Sequence, residues 1–223
     1  SEDLGDNDSV TVDSVNSLWI DDDFSVRNRY VSLMQKDFDA LVTTLSFGDP
    51  ATVKAINNWC SEHTNGKINE IIDELSPNDV MVLVNALYFK APWLDPFEPG
   101  MTSTARFNGS LGVSDVKMMS RKAYMNYAEY NGCQLVELPY EGGRYSMYVL
   151  LPPQDIDINE LISYLSKDAY ETAIKSLQST EVLLRMPKAK VETSLLLNAS
   201  LQKMGIRTAF TGAADFKGIS EMG

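Results

Sequence analysis

Apolar and polar residues along the chain recur with two periods, and the switches between them mark the elements. Val15 to Ile20, reading Val, Asn, Ser, Leu, Trp, Ile, suits a short strand, and Asp21-Asp22-Asp23 after it offers caps for a helix. Within Phe24 to Phe38, Tyr30, Leu33, Met34 and Phe38 share one helical face while Arg27, Arg29 and Lys36 fall largely elsewhere, which predicts an amphipathic surface helix. From Ala40 to Phe47 the positions Leu41, Thr43, Leu45 and Phe47 alternate with Val42, Thr44 and Ser46, as in a partly buried strand. Asp49-Pro50 sets a capping carboxylate before a proline whose missing N–H costs nothing in a first turn. The helix it opens carries Val53, Ile56, Trp59 and Cys60 at helical spacing, and Asn65-Gly66 supplies left-handed residues to end it.

Asp79 to Lys90 is a nearly unbroken apolar run rich in strand-favouring residues, and a run of this kind usually has both faces covered. Asn85 is the polar side chain within it. A buried amide without partners costs about 1 to 3 kcal/mol, so Asn85 is expected to be hydrogen-bonded. Beyond Gly100, strand-like segments follow at Ser103 to Phe107, Val116 to Met119, Ala123 to Glu129, Cys133 to Pro139 and Tyr145 to Leu151. Glu141-Gly142-Gly143-Arg144 reads as a hairpin turn. Helices are predicted over Ile158 to Leu165 and Asp168 to Leu177, then a strand from Glu181 to Val191 broken by Pro187, then a helix from Leu196 to Met204 stopped by Gly205.

Composition narrows the function classes. Hydrophobic residues are 44% and charged residues 22% of the 223, ordinary globular usage with enough apolar surface for a substantial core. A net charge of −12 repels phosphate backbones and anionic lipid surfaces, so neither nucleic acid nor membrane is an expected partner. Residues 1 to 20 lack the basic-then-apolar order of a signal peptide, and the chain reads as soluble. Residues 1 to 14, with five acidic side chains from Glu2 to Asp13, read as a solvated, mobile lead-in.

Candidate catalytic chemistry is sparse. His63 is the single histidine, which removes HExxH and multi-histidine metal sites, and Cys60 and Cys133 lie too far apart for a CxxC pair. Both cysteines sit among apolar neighbours and read as buried small hydrophobes. The sequence carries no GxSxG, Walker A or GxGxxG pattern. Asp21 to Asp23 lack the alternate spacing and terminal Glu of an EF-hand loop. No catalytic residue, cofactor or metal is therefore expected, and the chain does not read as an enzyme.

Asn85-Ala86-Leu87-Tyr88-Phe89-Lys90, followed by Trp93 and Phe97, resembles the serpin signature for a long central strand and its exit. Ile56-Asn57-Asn58-Trp59 with Thr64-Asn65-Gly66-Lys67-Ile68 is similar to the serpin helix that crosses the front of the main sheet. Leu135 to Tyr140 resembles a sheet B strand and Tyr145 to Pro152 its hairpin partner. Met186-Pro187-Lys188, Leu201 to Ile206, Ala209-Phe210 and Ala214 to Ser220 continue the match in family order. Ala91-Pro92 in place of a glycine, and Cys60 in place of a plain aliphatic, depart from the pattern.

The resemblance implies an α+β, serpin-like fold: a large mixed or antiparallel main sheet, two further sheets and surrounding helices. Residues 1 to 223 would form a single partial domain lacking the N-terminal helices and the C-terminal reactive loop region, with the reactive bond outside this chain. The implied activity is inhibition of serine endopeptidases by suicide-substrate trapping, the cleaved loop inserting into the main sheet of a metastable fold. By the same resemblance Asn85 belongs to the polar cluster that governs sheet opening, and Trp93 and Lys188 lie where the loop first enters. Implied partners are a target peptidase of the serine or cysteine class and the remaining C-terminal serpin segment. The family setting is extracellular or secreted, with a cytoplasmic one as the alternative. A non-inhibitory serpin, acting as chaperone, carrier or storage protein, is the rival reading, because fold alone does not fix function.

Overall fold

The structure is a computed structural model that describes residues 10–76, 78–109, 112–189, 193 and 195–221. Most of the expected acidic lead-in lies outside the described residues. Contacts divide the chain into two compact units, one built on Thr11–Lys90 with Glu192–Gly223 and one on Ala91–Val191.

The first unit is organised by β1 (Thr11–Asp21), which begins four residues before the expected start at Val15, so the end of the supposed lead-in is ordered strand. After it come α1 (Asn28–Asp37), β2 (Ala40–Leu45), α2 (Pro50–His63) and β3 (Met81–Lys90). The strands form one sheet in the order β2-β1-β3, with β2 parallel and β3 antiparallel to β1. Successive side chains of β1 point to opposite faces, and each face meets a different helix. Leu18 and Ile20 pack with Met34 of α1 and Ala40, while Trp19 packs with Ile56, Trp59 and Cys60 of α2, Phe47, and Val84 and Ala86 of β3.

The local chemistry of α2 follows its sequence. The Asp49 carboxylate accepts from the Ala51 N–H at 2.8 Å, Pro50 occupies the first turn, and Asn65 and Gly66 take φ of 53° and 68° at the exit. Asn57 fastens the following segment to the helix, its amide donating to the Ile72 carbonyl and its oxygen accepting from Ile71 and Ile72. The start of α1 differs from expectation. The helix begins only at Asn28, after a turn at Asp22-Asp23 and an extended Arg27, and the acidic triplet does not cap it. Asp21 instead accepts from the N–H groups of Asp23 and Phe47, tying the end of β1 to the exit of β2. Of the predicted apolar face of α1, Met34 is buried and Tyr30 packs beside it, whereas Leu33 and Phe38 are 40% and 53% exposed.

In β3 the expectation of two covered faces fails. Val84 and Ala86 are buried beneath α2, but Leu83 and Leu87, on the face shared with Leu18, are 56% and 61% exposed because α1 covers only the β1 and β2 half of that face. Among the described residues β3 pairs with β1 alone and stands at the rim of this three-stranded sheet.

The second unit comprises β4 (Ser103–Gly109), β5 (Gly112–Tyr130), β6 (Cys133–Pro139), β7 (Ser146–Leu151), α3 (Ile158–Tyr164), α4 (Lys167–Lys175) and β8 (Gln178–Pro187). Where the sequence suggests separate strands at 116–119 and 123–129, one strand of 19 residues runs through. Its polar middle, Ser120 to Lys122, stays extended because β8 pairs along Met118 to Tyr127, bringing Arg185, Leu184 and Leu183 opposite. β4 pairs with the first part of β5 and β6 with its last four residues, so the two further sheets expected are joined into one antiparallel sheet of five strands. β8 ends at Pro187; of its predicted extension to Val191, residues 188 and 189 are not strand and the rest lies outside the described residues. α5 (Asn198–Lys203), shorter than predicted, belongs to the first unit and is followed by Gly205 at φ 106°.

Glu137 on β6 ties three strands of this sheet together, accepting from Asn126 Nδ2 of β5 at 2.7 Å and from the Tyr148 hydroxyl of β7 at 3.0 Å. Burial pushes its carboxyl up, but hydrogen bonds from Asn126, Ser146 and Tyr148 outweigh that and hold it below the ordinary glutamate value of 4.5.

Two outcomes are expected. The open edge of β3 and the uncovered apolar side chains predict that the isolated 223-residue chain self-associates. A cooperative, monodisperse monomer by circular dichroism and size exclusion contradicts this. Because the folded pKa of Glu137 is depressed, its contribution is present above about pH 4.5 and is lost as pH falls through the lowered value. In the protein at its full natural length, Glu137→Gln should therefore lower stability near neutral pH by about 1 to 2 kcal/mol and flatten the acid limb of the stability profile. An unchanged acid limb in the variant rules the assignment out.

Candidate functional site

Asn85 takes its place from the β1–β3 register, which sets it directly opposite Asn16. Its Nδ2 donates to Asn16 Oδ1 at 2.8 Å, and Asn16 Nδ2 donates onward to the Phe38 carbonyl at 2.8 Å, just before β2. Two amides thus form a polar relay across the width of the three-stranded sheet. Asn85 is bonded as expected, but it is exposed where burial was expected, because it lies on the uncovered face with Leu83 and Leu87. Sequence reasoning missed Asn16. The available signal was an amide in mid-strand on both β1 and β3.

Trp93 and Lys188 belong to the second unit and Asn85 to the first. Trp93 forms a bridge pair with Tyr140, and their rings stack with centroids 4.4 Å apart and planes 11° from parallel. The Leu94 N–H donates to the Pro139 carbonyl and the Glu141 N–H to the Pro92 carbonyl, both at 2.9 Å, so residues 92–94 are stitched to the end of β6. Trp93 also packs against Met125, Val136 and Leu138. Burial pushes the Tyr140 phenol up, which keeps it neutral. Lys188 is exposed, and its N–H donates to the Lys117 carbonyl at 2.8 Å, carrying the β8–β5 ladder one residue past Pro187. No hydrogen bond or ring contact joins Trp93 to Lys188 among the described residues.

Arg121 of β5 was also missed, though a charge in mid-strand marks it. Its guanidinium donates to the Asp95 carbonyl, lies 3.9 Å from the Asp95 carboxylate and stands 5.7 Å from the Phe97 ring centre, holding residues 95–97 over the sheet. Its Nε is buried without a partner among the described residues.

Groups that could carry other chemistry are otherwise engaged. His63 Nδ1 lies 2.8 Å from the Trp59 carbonyl and its ring stacks on Trp59, at the end of α2. Cys60 is buried, and burial pushes its thiol up, away from the reactive thiolate; Cys133 is likewise buried and free. Among the described residues the one acidic group close enough to hold a cation is Asp21, Asp22 and Asp23, and Asp21 already serves two backbone N–H groups. Among them, too, no helix is long and apolar enough to cross a membrane.

The family model described as Serpin (serine protease inhibitor) matches residues 2–223. A serpin-like protein of Thermococcus kodakarensis is 34% identical over 209 residues, 93% of this chain and 49% of its own length. Serine protease inhibitor 2 of Anopheles gambiae is 32% identical over 213 residues, 92% of this chain and 52% of that protein. The native-state crystal structure of tengpin, a thermophilic serpin, superposes with a TM-score of 0.92 at 29% identity, covering 100% of this chain and 58% of that one. The chain spans about half the length of the curated relatives it matches. By the family match and this likeness, the chain belongs to the serpin family.

Proposed function

We propose that this chain supplies the main sheet of a peptidase inhibitor that traps serine endopeptidases by taking its own cleaved reactive loop into that sheet beside β3. What supports the reading is the composition of β3, which pairs with β1 on one edge and has no strand on the other among the described residues. From Met81 to Phe89 it has no proline, glycine or charge, none of the devices by which natural sheets protect a permanent edge. An edge of this composition suits pairing with a further strand, and serpin loop insertion is itself an established example of strand addition. The relay from Asn85 through Asn16 to Phe38 gives the three strands a polar tie that moves as one piece when a neighbouring strand parts from β3. Trp93, fixed on Tyr140, and Lys188, beyond the end of β8, are the loop-entry residues in this reading. A secreted setting goes with it, and the partners are a target peptidase and the C-terminal serpin segment that bears the reactive bond.

The test mixes the protein at its full natural length with a panel of serine and cysteine peptidases and resolves the products under denaturing conditions. A covalent complex that survives SDS is the expected result. Rapid cleavage without any complex across the panel would replace inhibition by the chaperone, carrier or storage reading. The relay has its own check. In a double-mutant cycle, Asn16→Ala and Asn85→Ala are expected to couple by about 0.5 to 1.5 kcal/mol in unfolding free energy. Simple additivity would leave the amides independent and remove the tie.

A further inference from the structure

The first unit holds a cavity of about 950 Å³, open to solvent, between the start of α1 and the turn at 217–221, and Arg27, Arg29 and Lys217 all line it. In a chain with 19 basic against 31 acidic residues, three cations around one cavity with Glu221 as the sole lining carboxylate are a local reversal of sign. We propose that this cavity binds a single phosphate or sulfate group carried by a small molecule or free in solution. The proposal stands apart from the inhibitory reading, and neither depends on the other.

Both walls are fixed in advance. The Arg27 N–H donates to the Ile219 carbonyl at 2.7 Å, while Ile219 and Ser220 both donate to the Phe216 carbonyl, and Ser220 is fully buried. The lysine backbone is anchored as well, its N–H donating to Asp215 Oδ1. The cations are poorly neutralised. Arg27 reaches Glu221 only at 3.6 Å, with side chains 42% and 81% exposed, and Arg29 and Lys217 make no ion pair among the described residues. An exposed pair at that distance contributes little, so the field in the cavity stays positive.

Neutral donors add to it. The Tyr30 and Val31 N–H groups both turn back to the Arg27 carbonyl, leaving those of Asn28 and Arg29 unused by the helix, and no acidic side chain stands in the first turn. Ser25 and Asn28 bring a hydroxyl and an amide to the same wall. Three cations with several N–H and O–H donors match the oxygens of a tetrahedral oxyanion better than the two of a carboxylate. The net charge of −12 selects for size. Within a Debye length of about 10 Å the local cations dominate for a small anion, whereas an extended polyanion meets the acidic remainder of the surface.

The test is calorimetric titration of the full-length protein at low ionic strength with inorganic phosphate, O-phosphoserine and tyrosine O-sulfate. Saturable binding of at least one probe is expected, and the order of the three separates a free ion from an esterified group. Arg29→Gln and Lys217→Gln, both exposed, should each weaken binding about two- to fivefold without moving the unfolding midpoint, and Glu221→Gln should strengthen it by a similar factor. Lys54→Gln, exposed on α2, should change nothing. The site is refuted if none of the probes binds, or if the Arg29 and Lys217 variants bind as the parent does.

Discussion

The ten-residue antiparallel ladder between β1 and β3 governs the first unit. β1 gains a strand on each side and a helix on each face, so Leu18, Trp19 and Ile20 are all nearly or fully buried. β3 takes from that ladder a fixed register, which decides that Val84 and Ala86 lie under α2 and that Leu83, Asn85 and Leu87 lie on the other face. Slipping the register by one residue would exchange the two sets and separate Asn85 from Asn16, so the polar relay and the apolar core are specified by the same hydrogen bonds.

In the second unit β5 has the corresponding role. It pairs with β4, β8 and β6 in turn along its length, and so joins what are otherwise separate hairpins. The Glu137 carboxylate braces the end where β5, β6 and β7 lie side by side. Arg121 braces the middle, where its guanidinium meets Asp95 and Phe97 and keeps the chain after Trp93 close to the sheet. Trp93 is thereby held from two directions, by the loop that follows it and by the Tyr140 ring.

Much of this was legible where local chemistry decides structure. The Asp49-Pro50 cap, the Asn65-Gly66 exit, the Cys133 to Pro139 strand and the Gly142-Gly143 turn need only neighbouring residues. What escaped depends on residues distant in sequence. The continuity of β5 through Ser120-Arg121-Lys122 rests on β8, some 60 positions later, and the role of Asp21 rests on the Phe47 N–H. Of the candidate site, the position of Asn85 in a strand was legible, but its exposure and its partner Asn16 required the sheet and the register. The burial of Leu33 and Phe38 was overestimated because periodicity identifies an apolar stripe and not its width.

The sharpest disagreement between pattern and structure concerns β3, and it is informative in itself. Strands that end a sheet in water are commonly short, charged, bulged or interrupted by proline. β3 is long, regular and, but for Asn85, apolar up to Lys90, and among the described residues the face that bears Leu83 and Leu87 and the second edge are both uncovered. A strand of this composition has the pattern of one paired on both edges, and this chain spans about half the length of the curated relatives it matches. The same features that make β3 a liability in isolation are the features a strand-accepting edge requires: length to bind a whole segment, regularity to keep register, and an apolar face to reward closure.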